Sequence, residues 1–168
     1  MQSNKFAQQV TRFMDTRKVS NKEMAKSIPV SNGQFSNMKN GTRVITMQAR
    51  KAISNLAHDI TINYSAARED YGTISVMIRP GKTRDMLQAL TQQSEEQEQR
   101  EGIQTAFLRA AVTDPPNRST EQRLIIKQFL KELIEEIGSE ITLLIRCCKY
   151  LRVDPIPYID AYNEKMGG

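Results

Sequence analysis

The chain of 168 residues contains one histidine, two cysteines and no tryptophan, and it has no long apolar run. No stretch approaches the roughly 20 apolar residues that span a bilayer, and the N-terminus lacks the apolar segment of a secretion signal. We therefore expect a cytoplasmic protein that does not enter a membrane. Cys147 and Cys148 are adjacent, which is poor geometry for a disulfide and unlike a zinc-binding spacing. Reduced thiols on a helix are therefore preferred over a redox role.

The scarcity of histidine also restricts the chemistry that the chain can perform. A hydrolytic triad needs a placed histidine, and His58 falls where a helix is predicted to end. That position favours a capping role over an acid-base pair with Asp59. The segment from Pro80 to Lys82 lacks the earlier glycine of a phosphate-binding loop. With no recognisable cluster of metal ligands, we expect a non-enzyme that needs neither a cofactor nor a metal.

The most informative stretch of the sequence begins at Ser20 with signals for a short helix. Ser20 followed three residues later by Glu23 is a capping box, which marks a helix start. Met24, Ala25 and Ile28 follow at helical spacing and predict the inward face. Pro29 must end this helix, because proline lacks a backbone N–H and disfavours the α conformation of the residue before it.

A second short helix is predicted immediately after this proline. Ser31 or Asn32 provides the N-cap, and Phe35 and Met38 form the inner face. The pair Asn40-Gly41 then supplies a left-handed residue that ends the helix. Two short helices joined by a turn of about four residues are the arrangement of a helix-turn-helix.

The same stretch resembles the lambda-repressor/Cro (XRE) family of DNA-binding proteins over about residues 4–58. The resemblance implies an N-terminal helix-turn-helix bundle whose second helix enters the DNA major groove. Pro29 departs from the family pattern, which usually has glycine in the turn, so the turn must be remodelled. The matching pattern comprises Asn21, Met24-Ala25, Val30-Ser31, Phe35-Ser36, Met38 and Asn40 to Arg43.

The resemblance also implies which side chains contact DNA. Asparagine and glutamine pair bidentately with adenine, and glycine permits a close approach of the backbone. The implied base-reading residues are Asn21, Asn32, Gly33, Gln34 and Asn37. The implied phosphate contacts are Lys39, Asn40 and Arg43, the last in a loop where XRE proteins usually approach the DNA backbone.

The distribution of charge supports this interpretation. Residues 1–58 contain ten basic and two acidic residues, a net charge of +8, whereas residues 59–168 contain fourteen basic and seventeen acidic residues. A charged face alone is usually only solvated. Because the positive charge coincides with the motif, however, it is expected to meet phosphates.

Helices are also predicted around this motif. The first covers Asn4 to Lys18. A second is capped by Thr46 and has its apolar packing positions at Ala49, Ile53, Leu56 and Ala57. A third runs from Asp59 to Tyr71 and is predicted to pack through Ile62, Ala66 or Ala67, and Tyr71. The predicted all-α chain divides into a DNA-binding domain (1–58), a helical connector with a polar hinge (59–117) and a helical oligomerisation region (118–168). The polar stretch from Gln92 to Arg100 is interpreted as either a solvated helix or a disordered hinge.

The C-terminal region is dominated by an apolar stripe with near-heptad spacing, interrupted by a stutter at Gly138. Two helices that break at Gly138-Ser139, or one bent helix, both fit the pattern. The stripe is interpreted equally as an internal bundle core or as a dimerisation surface centred on Leu133, Ile137, Ile141 and Leu144. Its members are Ile126, Leu130, Leu133, Ile137, Ile141, Leu144, Cys148 and Leu151.

Three functions agree with these features. The first is a dimeric transcriptional regulator that binds a palindromic site on double-stranded DNA, as in repressors of phages and mobile elements. The second is an interaction protein on a helix-turn-helix scaffold, of the anti-CRISPR or antirepressor type. The third is an antitoxin that binds both DNA and a toxin. The C-terminal half is the surface on which a protein partner is expected to bind. Strong binding to random duplex that weakens with salt would separate the first and third from the second.

Overall fold

The structure is a computed structural model that describes residues 5–26, 28–76 and 85–167. These residues form helices and no strands, and they divide into two compact units, Met1–Ser75 and Val76–Gly168. The N-terminal unit contains α1 (Lys5–Arg17), α2 (Asn21–Lys26), α3 (Asn32–Lys39), α4 (Met47–Ala57) and α5 (Ile60–Tyr71). The C-terminal unit contains α6 (Met86–Ala111), a 3₁₀ turn (Pro115–Asn117), α7 (Thr120–Leu151) and α8 (Ile156–Lys165).

One continuous apolar core holds the five helices of the N-terminal unit together. Every one of these helices contributes buried side chains, because apolar residues recur on one face at helical spacing. Full burial of a large aliphatic or aromatic side chain stabilises the fold by about 1.5–3 kcal/mol. The core comprises Phe6, Ala7, Val10, Met14, Met24, Ile28, Phe35, Met38, Ile45, Ala49, Ile53, Ile62 and Ala66.

The helix ends in this unit follow the capping signals of the sequence. Thr46 accepts a hydrogen bond from the Ala49 N–H at 3.2 Å, and Asp59 accepts one from the Thr61 N–H at 2.8 Å. His58 is the C-cap of α4 with a left-handed backbone (φ 42°), which confirms its predicted capping position. Gly72 ends α5 with φ 66°, a conformation that glycine adopts without steric cost.

Two features of α5 differ from the sequence-based expectation. Ile62 and Ala66 lie in the core of the N-terminal unit, so α5 completes that unit and is not part of a connector. Tyr71 is 74% exposed and does not serve as a packing residue of this helix. The division after Ser75 therefore differs from the predicted boundary at residue 58.

In the C-terminal unit, α6 and α7 pack against each other as a helical hairpin. The segment between them, predicted as a possible domain boundary, is its turn. The Arg118 guanidinium donates to the Thr113 carbonyl at 2.8 Å and the Gln122 amide donates to the Thr113 hydroxyl at 2.9 Å. Phe107 and Phe129 stack across the hairpin with ring centroids 3.8 Å apart.

The surface that α6 and α7 share is largely polar. Gln92 and Glu96 are buried on α6, so the stretch from Gln92 to Arg100 is an ordered helix with a buried side and not a hinge. Its partners on α7 are also polar or small, and an ion pair between Arg100 and Glu136 joins the helices. We call this surface the polar seam, which comprises Gln92, Glu96, Glu132, Glu136, Ser139 and Thr142.

Helix α7 continues without a break through Gly138 and Ser139. The Ser139 and Thr142 hydroxyls donate to the carbonyls of Glu136 and Gly138, both at 2.7 Å, which satisfies these polar groups inside the polar seam. Of the two arrangements that the sequence permitted, one continuous helix is therefore observed. In α8, Ile159 is half-buried, whereas Tyr162 is 61% exposed.

Candidate nucleic-acid interface

The turn between α2 and α3 is built around Pro29. The Val30 N–H donates to the Ile28 carbonyl with an N···O distance of 2.7 Å, which closes a three-residue turn centred on the proline. An inverse γ-turn of this kind needs a central φ near −75°, which the proline ring favours. The chain therefore reverses without the positive φ that glycine would supply. This hydrogen bond shows how the turn is remodelled around Pro29, as the sequence predicts.

The start of α3 is held by a reciprocal capping box. The Gln34 N–H donates to Ser31 Oγ at 3.2 Å, and the Ser31 N–H donates to Gln34 Oε1 at 3.1 Å. Two of the backbone donors at the helix start are therefore satisfied. Gln34, a predicted base-reading residue, thus also has a structural role that the sequence resemblance did not indicate.

The outward face of α3 is polar and accessible. Phe35 and Met38 are buried in the core, which fixes the rotation of the helix. At 3.6 residues per turn, Gly33, Asn37 and Asn40 fall within about 60° of one another on the opposite side. All three are exposed, and a Cβ atom added at Gly33 would have nothing within 4 Å.

The loop after α3 is tied back to that helix. The Thr42 N–H, the Thr42 hydroxyl and the Arg43 N–H all donate to the Asn37 carbonyl, at 3.0, 2.9 and 3.2 Å respectively. Gly41 adopts φ 77°, which confirms the left-handed residue predicted at the helix end. The Arg43 side chain is therefore carried by a fixed backbone next to the outward face of α3.

Arg50 organises the other end of the same loop. Its guanidinium donates to the Ile45 carbonyl and forms an ion pair with Asp70 on α5, with an Nε···Oδ1 distance of 2.7 Å. Both side chains are mostly buried, with exposures of 15% and 8%. Arg50 is thus a positioning residue for the loop and is not presented to solvent as a phosphate contact. Because Arg50 and Asp70 are 20 residues apart in sequence, no local pattern could have indicated this pair.

The remaining predicted DNA-contacting residues lie on two helices and the loop. Asn21 is half-buried at the first position of α2, Asn32 is exposed at the start of α3, and Lys39 is half-buried in its last turn. Arg43 is exposed, and the neighbouring Val44 is an apolar side chain that is 78% exposed, for which no sequence pattern gave a signal. The structure therefore places Asn32, Gly33, Gln34 and Asn37 on α3, with Asn40 as the C-cap of that helix.

The charge of the N-terminal unit remains positive when its acidic residues are included. Residues 1–75 contain eleven basic and five acidic residues, a net charge of +6. Most of the basic side chains are exposed, whereas Arg50 is neutralised by Asp70. A field of this sign attracts polyanions and decays within about 10 Å at moderate salt.

The predicted dimerisation residues lie on α7, away from the polar seam. Leu133, Ile137 and Ile141 are half-buried, and Leu144 is 40% exposed. None of the eight members of the apolar stripe reaches full burial, although the C-terminal unit buries Glu132 and Glu136. The face of α7 that packs on α6 is therefore not the apolar stripe.

Comparison of the chain with models of protein families gives no match, and comparisons with curated proteins and with solved structures give none either. None of the described helices is both long enough and apolar enough to cross a membrane.

Proposed function

We propose that the chain is a dimeric, sequence-specific DNA-binding regulator of transcription. In this proposal the N-terminal unit is a helix-turn-helix domain of the lambda-repressor/Cro type, and α3 is its recognition helix. The observation that carries the proposal is the outward side of α3, where Asn32 and Asn37 are exposed beside Gly33 on a short helix whose rotation is fixed by buried Phe35 and Met38. Uncommitted amide side chains on such a face suit readout of base edges in the major groove.

The surroundings of α3 suit the phosphate contacts that this readout requires. Lys39 lies in the last turn of α3 and Arg43 follows in the loop that Asn37 and Arg50 hold in place. Phosphate contacts fix the position of a protein on the duplex, whereas base contacts supply its specificity. In this proposal the phosphates are bound by Lys39, Asn40 and Arg43. The bases are read by Asn21, Asn32, Gly33, Gln34 and Asn37.

A dimer is proposed because the apolar stripe is only partly covered within its own unit. Fourteen large apolar residues of the C-terminal unit are at least 40% exposed, including Leu130, Ile134 and Leu144 on α7. Exposed apolar surface of this extent marks an interaction site on a protein. A second copy of the hairpin would bury the apolar stripes of both chains in a four-helix bundle. The dimer would then carry two N-terminal units, one for each half of a palindromic DNA site.

The first test is binding of the full chain to duplex DNA, measured by fluorescence anisotropy over a series of salt concentrations. We expect binding to random duplex that weakens steeply as salt rises, and tighter binding to the DNA upstream of its own gene. Arg43→Ala should weaken all duplexes alike and reduce the salt slope by about one, whereas Lys127→Ala in the C-terminal unit should change neither. Absence of binding at low salt would exclude a regulator and favour the interaction protein.

The second test separates base reading from capping at Gln34. Gln34→Ala removes both roles, and we expect a loss of about 1–3 kcal/mol at one base position of the preferred site. Ser31→Ala is the matched control, because it breaks the capping box at a cost of about 1 kcal/mol in stability but keeps the Gln34 amide. Equal effects of the two variants on sequence preference would assign Gln34 to capping alone.

A further inference from the structure

Val44 is an exposed apolar residue at a fixed place in the loop between α3 and α4. It is 78% exposed. Before it, the Arg43 N–H donates to the Asn37 carbonyl with an N···O distance of 3.2 Å. After it, Ile45 is 1% exposed in the core, and the Ile45 carbonyl accepts a hydrogen bond from the Arg50 guanidinium. Because both neighbours of Val44 are anchored, the loop presents Val44 to solvent from a defined position.

The chemistry and the surroundings of this side chain suit contact with a ligand. A β-branched side chain has few rotamers, so ordering it against a ligand costs less conformational entropy than ordering a long side chain. A single exposed apolar residue is ordinary on a protein surface. Here, however, Met47 is 49% exposed three residues further along, and only four large apolar residues are exposed in the described part of the N-terminal unit. Half of that exposed set therefore lies in or beside this loop.

Basic side chains lie next to Val44 in the sequence. Arg43 precedes it and is exposed, Lys39 lies in the last turn of α3, and the N-terminal unit has a net charge of +6. An apolar side chain beside cations fits a polyanion that also displays apolar atoms. Duplex DNA has both features, because phosphates follow its backbone and the C5 methyl group of thymine is exposed in its major groove.

The hydrogen bond at Arg43 also places Val44 close to the proposed recognition helix. The Arg43 nitrogen lies 3.2 Å from the Asn37 carbonyl oxygen. Standard backbone dimensions put the Val44 Cα within about 5 Å of that nitrogen, and so within about 8–9 Å of the Asn37 carbonyl. Successive bases on one strand are separated by about 3.4 Å along the duplex axis. A base within about three steps of the one that Asn37 reads is therefore within reach of Val44.

We propose that Val44 is a specificity-determining residue, which contacts the C5 methyl group of a thymine in the major groove. The contact selects thymine over bases that lack this methyl group, and it adds an apolar element to the hydrogen-bonding readout by α3. This inference rests on the proposed DNA-binding function. Its test is therefore designed so that failure of the contact and failure of DNA binding give different results.

The probe is the duplex that the full wild-type chain selects from a random library. Each thymine in turn is replaced by deoxyuridine, which removes the C5 methyl group and keeps the base pair. We expect one replacement to weaken binding about fourfold, the value of one buried methyl group. This position should lie within about three base steps of the position at which Asn37→Ala relaxes base preference.

Val44→Ala completes the cycle. On the unmodified duplex it should weaken binding at least about fourfold, because the apolar contact is lost. On the duplex with deoxyuridine at the sensitive position it should have little further effect, less than about 1.5-fold, because two changes that remove the same contact are not additive. Fluorescence anisotropy measures all four affinities.

Two controls separate the contact from folding and from general apolar exposure. Val44 is largely exposed, so Val44→Ala should leave the thermal midpoint of the full chain unchanged. Leu56→Ala alters a residue that is 40% exposed near the other end of α4, and this variant should respond to deoxyuridine as the wild type does.

Three results would overturn the inference. Tight binding to a selected duplex without any deoxyuridine position that couples to Val44→Ala would remove the contact and leave the proposed function intact. An equal loss of affinity for every duplex on Val44→Ala would assign Val44 to the deoxyribose of the backbone. Absence of binding to any duplex at low salt would overturn the proposed function, and the contact with it.

Discussion

The two units of the chain place apolar side chains in opposite ways. Among the described residues, the N-terminal unit buries fourteen apolar side chains and leaves four large ones exposed, whereas the C-terminal unit buries three and exposes fourteen. The first unit is therefore a complete small domain, whose core needs no partner. The second is a hairpin that encloses carboxylates and presents aliphatic residues outward. The C-terminal unit is therefore expected to gain stability from the second chain of the proposed dimer.

The difference also bears on the function that we propose for each unit. A unit with a buried apolar core can present a polar helix in a fixed orientation, which the proposed readout of DNA requires. A hairpin with an exposed apolar stripe is suited to association, because the hydrophobic effect then drives assembly of copies. Polar groups such as Gln92 and Ser139 in the polar seam cost stability but can restrict the pairing of α6 and α7 to one register, as buried polar residues do in coiled coils.

The largest expected effect comes from cutting the N-terminal unit at different places. A chain of residues 1–58 lacks α5, and so loses Ile62 from the core and Asp70 from its pair with Arg50. These losses approach the roughly 5–15 kcal/mol that stabilises a small domain. We therefore expect residues 1–75 to give a cooperative thermal transition and residues 1–58 to be unfolded by circular dichroism. The boundary predicted at residue 58 would therefore cut through the compact N-terminal unit.

Residues 1–75 should nevertheless bind DNA much more weakly than the full chain. Linking two heads raises affinity by about 10²–10⁴-fold without any new contact. If this fragment matched the full chain in affinity, the C-terminal unit would have a purpose other than dimerisation.

Disruption of the apolar stripe has the next largest expected effect. Ile137→Asp places a carboxylate in the proposed interface, and burial of an unpaired charge costs several kcal/mol. Sedimentation should show a dimer for the wild type at tens of micromolar and a monomer for the variant, with a DNA affinity that is at least about 100-fold lower. Val112→Asp makes the same chemical change at a side chain that is 84% exposed, and should leave the dimer intact.

Two results would contradict this assignment of the apolar stripe. A wild-type chain that sediments as a monomer would leave the stripe without its proposed partner. An Ile137→Asp chain that unfolds outright would place the stripe in an internal core, contrary to its partial exposure on α7.

A smaller effect is expected from the mostly buried ion pair in the N-terminal unit. Asp70→Asn leaves the Arg50 guanidinium without its counter-ion, which typically costs about 3–5 kcal/mol. Chemical denaturation should show this loss, and the hydrogen bond from Arg50 to Ile45 should weaken with it. Glu69→Gln is the control, because Glu69 pairs with Arg68 at 4.0 Å on the surface and such pairs contribute at most about 1 kcal/mol. Similar losses for both variants would show that burial does not strengthen the Arg50–Asp70 pair.

The same comparison explains what sequence reasoning could predict. In the N-terminal unit, capping signals at Ser20, Ser31 and Thr46 are local and lie next to apolar residues at helical spacing, so the helices followed directly. In the C-terminal unit, residue spacing identified the apolar stripe, but it could not indicate that the stripe is partly exposed. Periodicity identifies an apolar face without saying whether the same chain covers it. The polar seam depends on pairs such as Arg100 and Glu136, which are 36 residues apart and carry no local signal.

The smallest expected effect concerns pH at the start of α2. The Ser20 N–H and hydroxyl both donate to Glu23 Oε2 at 2.7 Å, and these bonds to Ser20 lower the pKa of Glu23 from its ordinary value of 4.5. A lowered folded-state pKa contributes stability that is present above pH 4.5 and is lost as pH falls through the lower folded-state value. The Ser31–Gln34 box has the same form with a residue that does not titrate.

Hydrogen exchange of the two N-cap amides tests this difference within one molecule. After correction for the intrinsic exchange rate, acidification below pH 4.5 should reduce protection of the Ser20 amide, while protection of the Ser31 amide should follow only the global stability. In a Glu23→Gln variant, the amide of Gln accepts in place of the carboxylate, so the two N-caps should lose their difference in pH response. If protection of the Ser20 and Ser31 amides changed alike with pH in the wild type, the Glu23 carboxylate would stabilise its N-cap no more than the neutral Gln34 amide does.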